Sequence, residues 1–161
     1  MDSLNYIATT LTRHQWTLSV AESCTGGTFT SYLTSLPGAS IWLKEALVVY
    51  SIESKVQRLG IPLQEIVQYG VVSSFICTKM AVNTKIMLDT DFGIGITGNA
   101  GPTAYSNTLP GQVYIAFSTP KHNQCEFFHF HGSRLHIQEQ ASKAALTIFH
   151  DWLKQEELAK S

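Results

Sequence analysis

The sequence predicts an α/β protein, a three-layer α/β/α sandwich around a mixed central sheet, and three observations predict it. Short apolar runs alternate with amphipathic stripes in the first half of the chain and follow one another directly in the second. That order suits a mixed sheet covered by helices on both faces. Two loops of glycines and hydroxyls leave the ends of apolar runs, where open α/β sheets bind their ligands. The 161 residues, 44% apolar and only 14% charged, are enough for one domain with a substantial core. No repeat, low-complexity tract or linker divides the chain, so one domain is expected over 1–161, with its core at about 4–153 and a charged tail at 154–161.

The elements follow in order. Leu4, Ile7, Ala8 and Leu11 recur at helical spacing, and the strand-like run Thr17–Val20 comes next. Ala21-Glu22-Ser23-Cys24-Thr25-Gly26-Gly27 forms the first loop, and Phe29, Tyr32, Leu33 and Leu36 stripe the helix after it until Pro37-Gly38 stops it. Ala46–Tyr50 is almost continuously apolar and reads as a strand buried on both faces. A short helix Ile52–Leu59 ends at Gly60, and another runs from Pro62 to Tyr69. Ser73 or Ser74 caps a longer helix with Ile76, Met80, Thr84 and Met87 on one face. Strands are expected at 92–97, 112–118 and 125–131. A final helix capped by Ser133 carries Ile137, Ala141, Ala145, Ile148 and Trp152, and the charged tail from Lys154 is expected to fray.

Composition narrows the function. A formal charge of −1 gives no electrostatic argument for nucleic acid or an anionic membrane. No apolar run reaches the roughly 18 residues that span a bilayer. The first residues lack the basic and apolar regions of a secretory signal, and three widely spaced cysteines suggest neither disulfides nor a zinc ribbon. A cytoplasmic location is expected by default. Cys24 has no local His or Asn partner and reads as a small buried residue; His129 and His131 read as an exposed or intersubunit strand face.

The first loop joins a strand to a helix whose leading N–H groups lack internal partners, an arrangement that holds anions. The second, Gly95-Ile96-Thr97-Gly98-Asn99-Ala100-Gly101-Pro102, leaves another apolar run. Both loops also read as ordinary turns, and facing each other across one crevice they would form a site.

The Ala-Glu-Ser-Cys-Thr-Gly-Gly block resembles the hallmark of the CinA C-terminal domain family. Pro37-Gly38-Ala39-Ser40-Ile41-Trp42, Val48–Lys55, Leu59-Gly60-Ile61, Gly70–Ser73, Thr97–Pro102 and Pro110–Tyr114 continue the likeness in collinear order over about residues 4–153. The short chain resembles the stand-alone members, which are nicotinamide-mononucleotide amidohydrolases. The resemblance implies the sandwich fold and a metal-free, cofactor-free hydrolysis of the carboxamide to nicotinate mononucleotide and ammonia, in pyridine nucleotide salvage. It assigns Ser40 as nucleophile, Lys55 as base and Tyr50 as their neighbour. Ser23, Thr25, Gly26, Gly27, Thr97, Gly98 and Gly101 would hold the nucleotide or its oxyanion, and Arg134 would bind its phosphate or be the cation that lowers the lysine's pKa. A lysine serves as base only where burial or a nearby cation lowers its pKa.

Taken alone, Ser40 also reads as a helix cap, Lys55 as a solvated lysine, Tyr50 as a core residue and Lys44 as a rival base. The sequence departs from the family pattern at Ile52, Asn99, the shortened Thr103–Leu109 segment and Ser133, all at the expected substrate rim. Hydrolysis of another small amide, or nucleotide binding without turnover, are the alternatives. Few surface charges and apolar-faced late strands leave room for a homo-oligomer.

Overall fold

The computed structural model describes residues 2–161. The sheet has five strands: β1 (Leu18–Glu22), β2 (Leu43–Val48), β3 (Phe92–Gly98), β4 (Gln112–Ser118) and β5 (Asn123–His129). Their order is β2-β1-β3-β4-β5, with β2, β1 and β3 parallel and β4 and β5 antiparallel to their neighbours. The mixed sheet is therefore the one the alternation of elements predicts. The parallel half needs helical crossovers, whereas the Pro120–His122 turn lets β4 return directly as β5.

Helices α1 (Asp2–His14), α2 (Thr28–Thr34) and α6 (Arg134–Lys160) cover one face. Leu11, Phe29, Leu33, Phe149 and Trp152 bury that side against Val20, Ile94 and Phe117. Helices α3 (Ile52–Leu59), α4 (Leu63–Tyr69) and α5 (Ser74–Leu88) cover the other through Leu59, Ile66, Ile76 and Met80. Helix α5 lies so close to β3 that a Cβ at Gly95 would fall 2.4 Å from the Cys77 carbonyl oxygen, and one at Gly93 2.1 Å from that of Ala81. The glycines of β3 are thus the seat of α5, and any side chain there would lift the helix.

Two expectations are corrected. The apolar run at 46–50 is not a strand buried on both faces: β2 spans Leu43–Val48, lies at the sheet edge, and exposes Lys44, Glu45 and Val48. The apolar run therefore sits at an edge, where Ala46 and Leu47 are only partly covered. The tail does not fray either, since α6 continues to Lys160. Glu157 fastens its last turns to α1, accepting hydrogen bonds from the Tyr6 hydroxyl and the Arg13 guanidinium and pairing with His14 Nε2 at 2.9 Å.

Candidate active site

The carboxyl ends of β1, β2 and β3 open on a cavity of about 370 Å³. Ser23 stands one residue beyond β1. Its N–H donates to the Ile96 carbonyl at 3.0 Å, extending the β1–β3 pairing by one residue and fixing the serine at the cavity wall. Lys55 reaches the same wall from the first turn of α3, which Ser51 caps by accepting from the Ser54 N–H at 3.0 Å.

The Lys55 side chain is almost wholly enclosed, at 1% exposure. Its Nζ donates to the Ser23 hydroxyl at 3.0 Å and to the Val49 carbonyl at 2.8 Å. No carboxylate pairs with it among the described residues, and burial lowers its pKa from 10.5 to about 8. A lysine so placed loses its proton within reach of neutral pH, and its lone pair then faces a hydroxyl.

The loop that carries Ser23 is tied from beneath. Glu22, fully buried, accepts from the Thr25 hydroxyl at 2.7 Å, the Gly27 N–H at 2.8 Å, the Thr30 N–H at 3.0 Å and the Thr30 hydroxyl. A carboxylate thus satisfies the leading donors of α2 and holds the turn in one shape. Gly26 and Gly27 take φ of 59° and 98°, a region that excludes most side chains.

The facing wall is the segment after β3. Asn99 Nδ2 donates to the carbonyls of Thr103 at 2.9 Å and Thr108 at 3.2 Å, while its Oδ1 accepts from the Gly101 N–H at 2.8 Å. Tyr105 and Thr108 exchange backbone hydrogen bonds around Ser106 and Asn107, both at positive φ, which makes a tight two-residue hairpin. Tyr105 stands at the rim. At the mouth, Arg134 from the start of α6 donates to the Gly101 carbonyl at 2.6 Å and to the Tyr50 hydroxyl.

Of the residues selected from sequence, Ser23, Tyr50, Lys55, Thr97, Gly98, Gly101 and Arg134 meet at this cavity. Tyr50 is half-exposed there, not a core residue. Thr25, Gly26 and Gly27 do not line it; Thr25 and Gly27 donate to Glu22 and the Gly26 N–H donates to the Ser23 carbonyl at 2.9 Å, so their expected contact with substrate is corrected to support of the loop. Thr97 lines the wall but donates its hydroxyl to the Val71 carbonyl at 3.0 Å.

Ser40 is the larger correction. It is exposed on the 3-10 turn Ala39–Ile41 that leads into β2, whereas Lys55 lies beyond the other end of that strand. Six extended residues separate those ends by roughly 17 Å, so one chain does not bring Ser40 to Lys55. The lysine instead bonds Ser23. The rival Lys44 donates to the Ile41 carbonyl at 3.0 Å on the exposed edge. Cys24 is buried as expected, and burial pushes its thiol up to about 12, far from a reactive thiolate. His129 and His131 are exposed with ring centres 4.7 Å apart.

Sequence reasoning missed the structural work of Glu22, although it lies inside the hallmark block. It also missed what Asn99 does for the rim; the signal there was its place as a departure from the family pattern.

Comparison with known proteins adds a family. The CinA C-terminal domain family model matches residues 2–153. A CinA-like protein of Syntrophus aciditrophicus is 37% identical over 149 residues, covering 91% of this chain and 36% of that protein. A CinA-like protein of Flavobacterium psychrophilum is 39% identical over 141 residues, covering 87% and 34%. The chain thus spans about a third of the length of these curated relatives. Among solved structures, a competence or damage-inducible protein of Enterobacter asburiae superposes with a TM-score of 0.91 at 27% identity, covering 94% of this chain and 96% of that one. A CinA superfamily protein of Escherichia coli gives 0.88 at 26% identity over 92% and 88%.

Proposed function

This chain belongs to the CinA C-terminal domain family, and from that membership we propose that it is an amidohydrolase releasing ammonia from nicotinamide mononucleotide by a serine–lysine mechanism. The observation that carries the reading is the 3.0 Å hydrogen bond between Lys55 Nζ and Ser23 Oγ, made by an enclosed lysine with a lowered pKa.

Neutral Lys55 takes the Ser23 proton as Oγ attacks the carboxamide carbon. The bond to Val49 keeps the amine aimed at the serine throughout. When the tetrahedral intermediate collapses, Lys55 returns that proton to the leaving nitrogen and ammonia departs. Water, deprotonated by the same amine, then attacks the acyl-serine, and Lys55 passes that proton to Ser23 Oγ as nicotinate mononucleotide leaves. Arg134, bridged to Tyr50 across the mouth, is the cation that receives the substrate phosphate.

The hairpin rim clamped by Asn99 favours one second reading, hydrolysis of a different planar amide by the same pair. Ammonia release measured without added metal and again with chelator tests the proposal. Turnover of nicotinamide mononucleotide by wild type and its loss in Ser23→Ala support the substrate and the serine together. Turnover retained in Ser23→Ala removes Ser23 as nucleophile.

A further inference from the structure

The three cysteines are widely spaced in sequence, but the fold brings two of them together. Cys77, on the inner face of α5, packs with Ala81, Ala116 and the partly exposed Cys125. In the β4–β5 ladder Cys125 stands opposite Ala116. Directly opposed side chains lie about 4.5–5.5 Å apart at Cβ, so Cys125 shares the small space under α5 with Cys77. Phe127, two residues along, packs on Tyr114 with ring centres 5.1 Å apart, so this face of β5 looks toward α5. We propose that Cys77 and Cys125 form an oxidisable dithiol, closed to a disulfide by a hydroperoxide, with Cys125 attacking and Cys77 resolving. Neither cysteine lines the cavity that holds Lys55, so the two sites are separate.

The surroundings divide the roles. Cys77 is fully buried, and its S–H faces the Gly95 carbonyl at 3.3 Å and the Tyr114 carbonyl at 3.2 Å. Burial foremost, then its bond to Cys125, pushes its pKa well above the ordinary thiol value. Cys125 differs. Cys77, then the hydroxyls of Ser74 and Thr78, donate to its sulfur; together they outweigh burial and lower its pKa to about 7. Ser74, Cys77 and Thr78 recur at i, i+3 and i+4, so one face of α5 presents all three donors. Ser74 is also the first residue of this 15-residue helix, whose positive end favours a thiolate. With Lys79 and Asn123, Ser74 and Thr78 line an open cleft of about 540 Å³ through which a small peroxide enters.

The chemistry closes in two steps. The Cys125 thiolate attacks one oxygen of hydrogen peroxide: the S–O bond forms and the O–O bond breaks. The second oxygen leaves as hydroxide and becomes water with the proton that Cys125 gave up. Cys77 sulfur then attacks the sulfenic sulfur: the S–S bond forms, the S–O bond breaks, and the departing oxygen takes the Cys77 proton as water. Two thiols and one peroxide thus give one disulfide and two waters. The bond ties α5 to the outer strand β5. Cys24 takes no part, since it lies in the wall of the Lys55 cavity with its thiol pushed up to about 12 by burial.

Labelling and mass measurements on the intact protein test this. On the folded chain, iodoacetamide should alkylate Cys125 at least ~10-fold faster than Cys24 or Cys77. Equal labelling of the three overturns the role of Cys125 as the attacking thiol. Hydrogen peroxide should lower the mass by about 2 Da and the thiols counted after unfolding from three to one. Digestion without reductant should then yield a crosslink of Cys77 to Cys125, and dithiothreitol should restore all three thiols. In Cys77→Ser the mass loss should vanish while a cyclic 1,3-diketone traps a sulfenic acid at Cys125. In Cys125→Ser neither should appear. A crosslink through Cys24, a mass loss retained in Cys125→Ser, or three thiols left in peroxide-treated wild type overturns the proposal. Should Cys77→Ser fail to fold, the labelling and the crosslink in wild type still decide.

Discussion

On the wall made by the ends of β1 and β2, the polar groups around Ser23 are enclosed and paired. Glu22 takes up the donors of the glycine turn, and Lys55 is fixed between a hydroxyl and a carbonyl. On the facing wall, Asn99 holds a short hairpin by three hydrogen bonds, but Tyr105 and its neighbours stand in solvent. The two walls divide the work. The first pays desolvation to lower the pKa of one lysine, which demands rigidity and burial. The second costs little to reshape, so it is where substrates are told apart.

That division is open to direct attack. The largest effect belongs to the buried wall: Lys55→Met should cut kcat about 10³-fold for any amide the enzyme accepts, read as ammonia release. An equal fall in one substrate alone would move selectivity to this wall.

The same variant reports the cost of burial. Below about pH 8 Lys55 is charged in both the folded and unfolded chain, and the fold bears the full penalty. Between about 8 and 10.5 the folded lysine is neutral while the unfolded one stays charged, so the penalty is progressively relieved. Lys55→Met should therefore be more stable than wild type at neutral pH by up to roughly 3 kcal/mol. Urea titrations should show that advantage shrinking toward pH 10.5. An advantage that grows with pH would contradict the assignment.

Glu22→Gln sharpens the comparison from below. It replaces an all-acceptor group by one with two N–H donors facing other donors. A loss of about 2 kcal/mol in stability is expected, with kcat reduced and KM little changed. Tyr105→Ala, on the open wall, should do the reverse and least of all. KM for a planar aromatic amide rises ~3- to 10-fold with kcat held, while an aliphatic amide is unaffected. A fall in kcat would place Tyr105 among the groups that act on the reacting atoms.

Much of this was legible in the sequence. The alternation of apolar runs and helical stripes fixes the layers, and the helix end at Gly60 and the caps at Ser73 and Ser133 are local chemistry. The hallmark block and the second glycine loop converge on one cavity because both follow strands that end on the same side. What escaped depends on pairing rather than local pattern. The apolar run near Leu47 does not reveal whether its strand is central or at an edge, and the tail does not announce that Glu157 meets Tyr6, Arg13 and His14. Ser40 and Lys55 are near in sequence, yet an extended strand between them drives them to opposite ends. Ser23, farther away in sequence, is brought to Lys55 by the parallel β1–β2 pair.

The central claim, that neutral Lys55 is the base acting on Ser23, is tested most directly by the pH dependence of kcat/KM for ammonia release from nicotinamide mononucleotide. A single group near pH 8 should govern it, with activity low in acid, rising through about 8 and level above, in step with the lowered pKa of Lys55. A profile flat across that range, or one that falls as pH rises through it, would contradict the account.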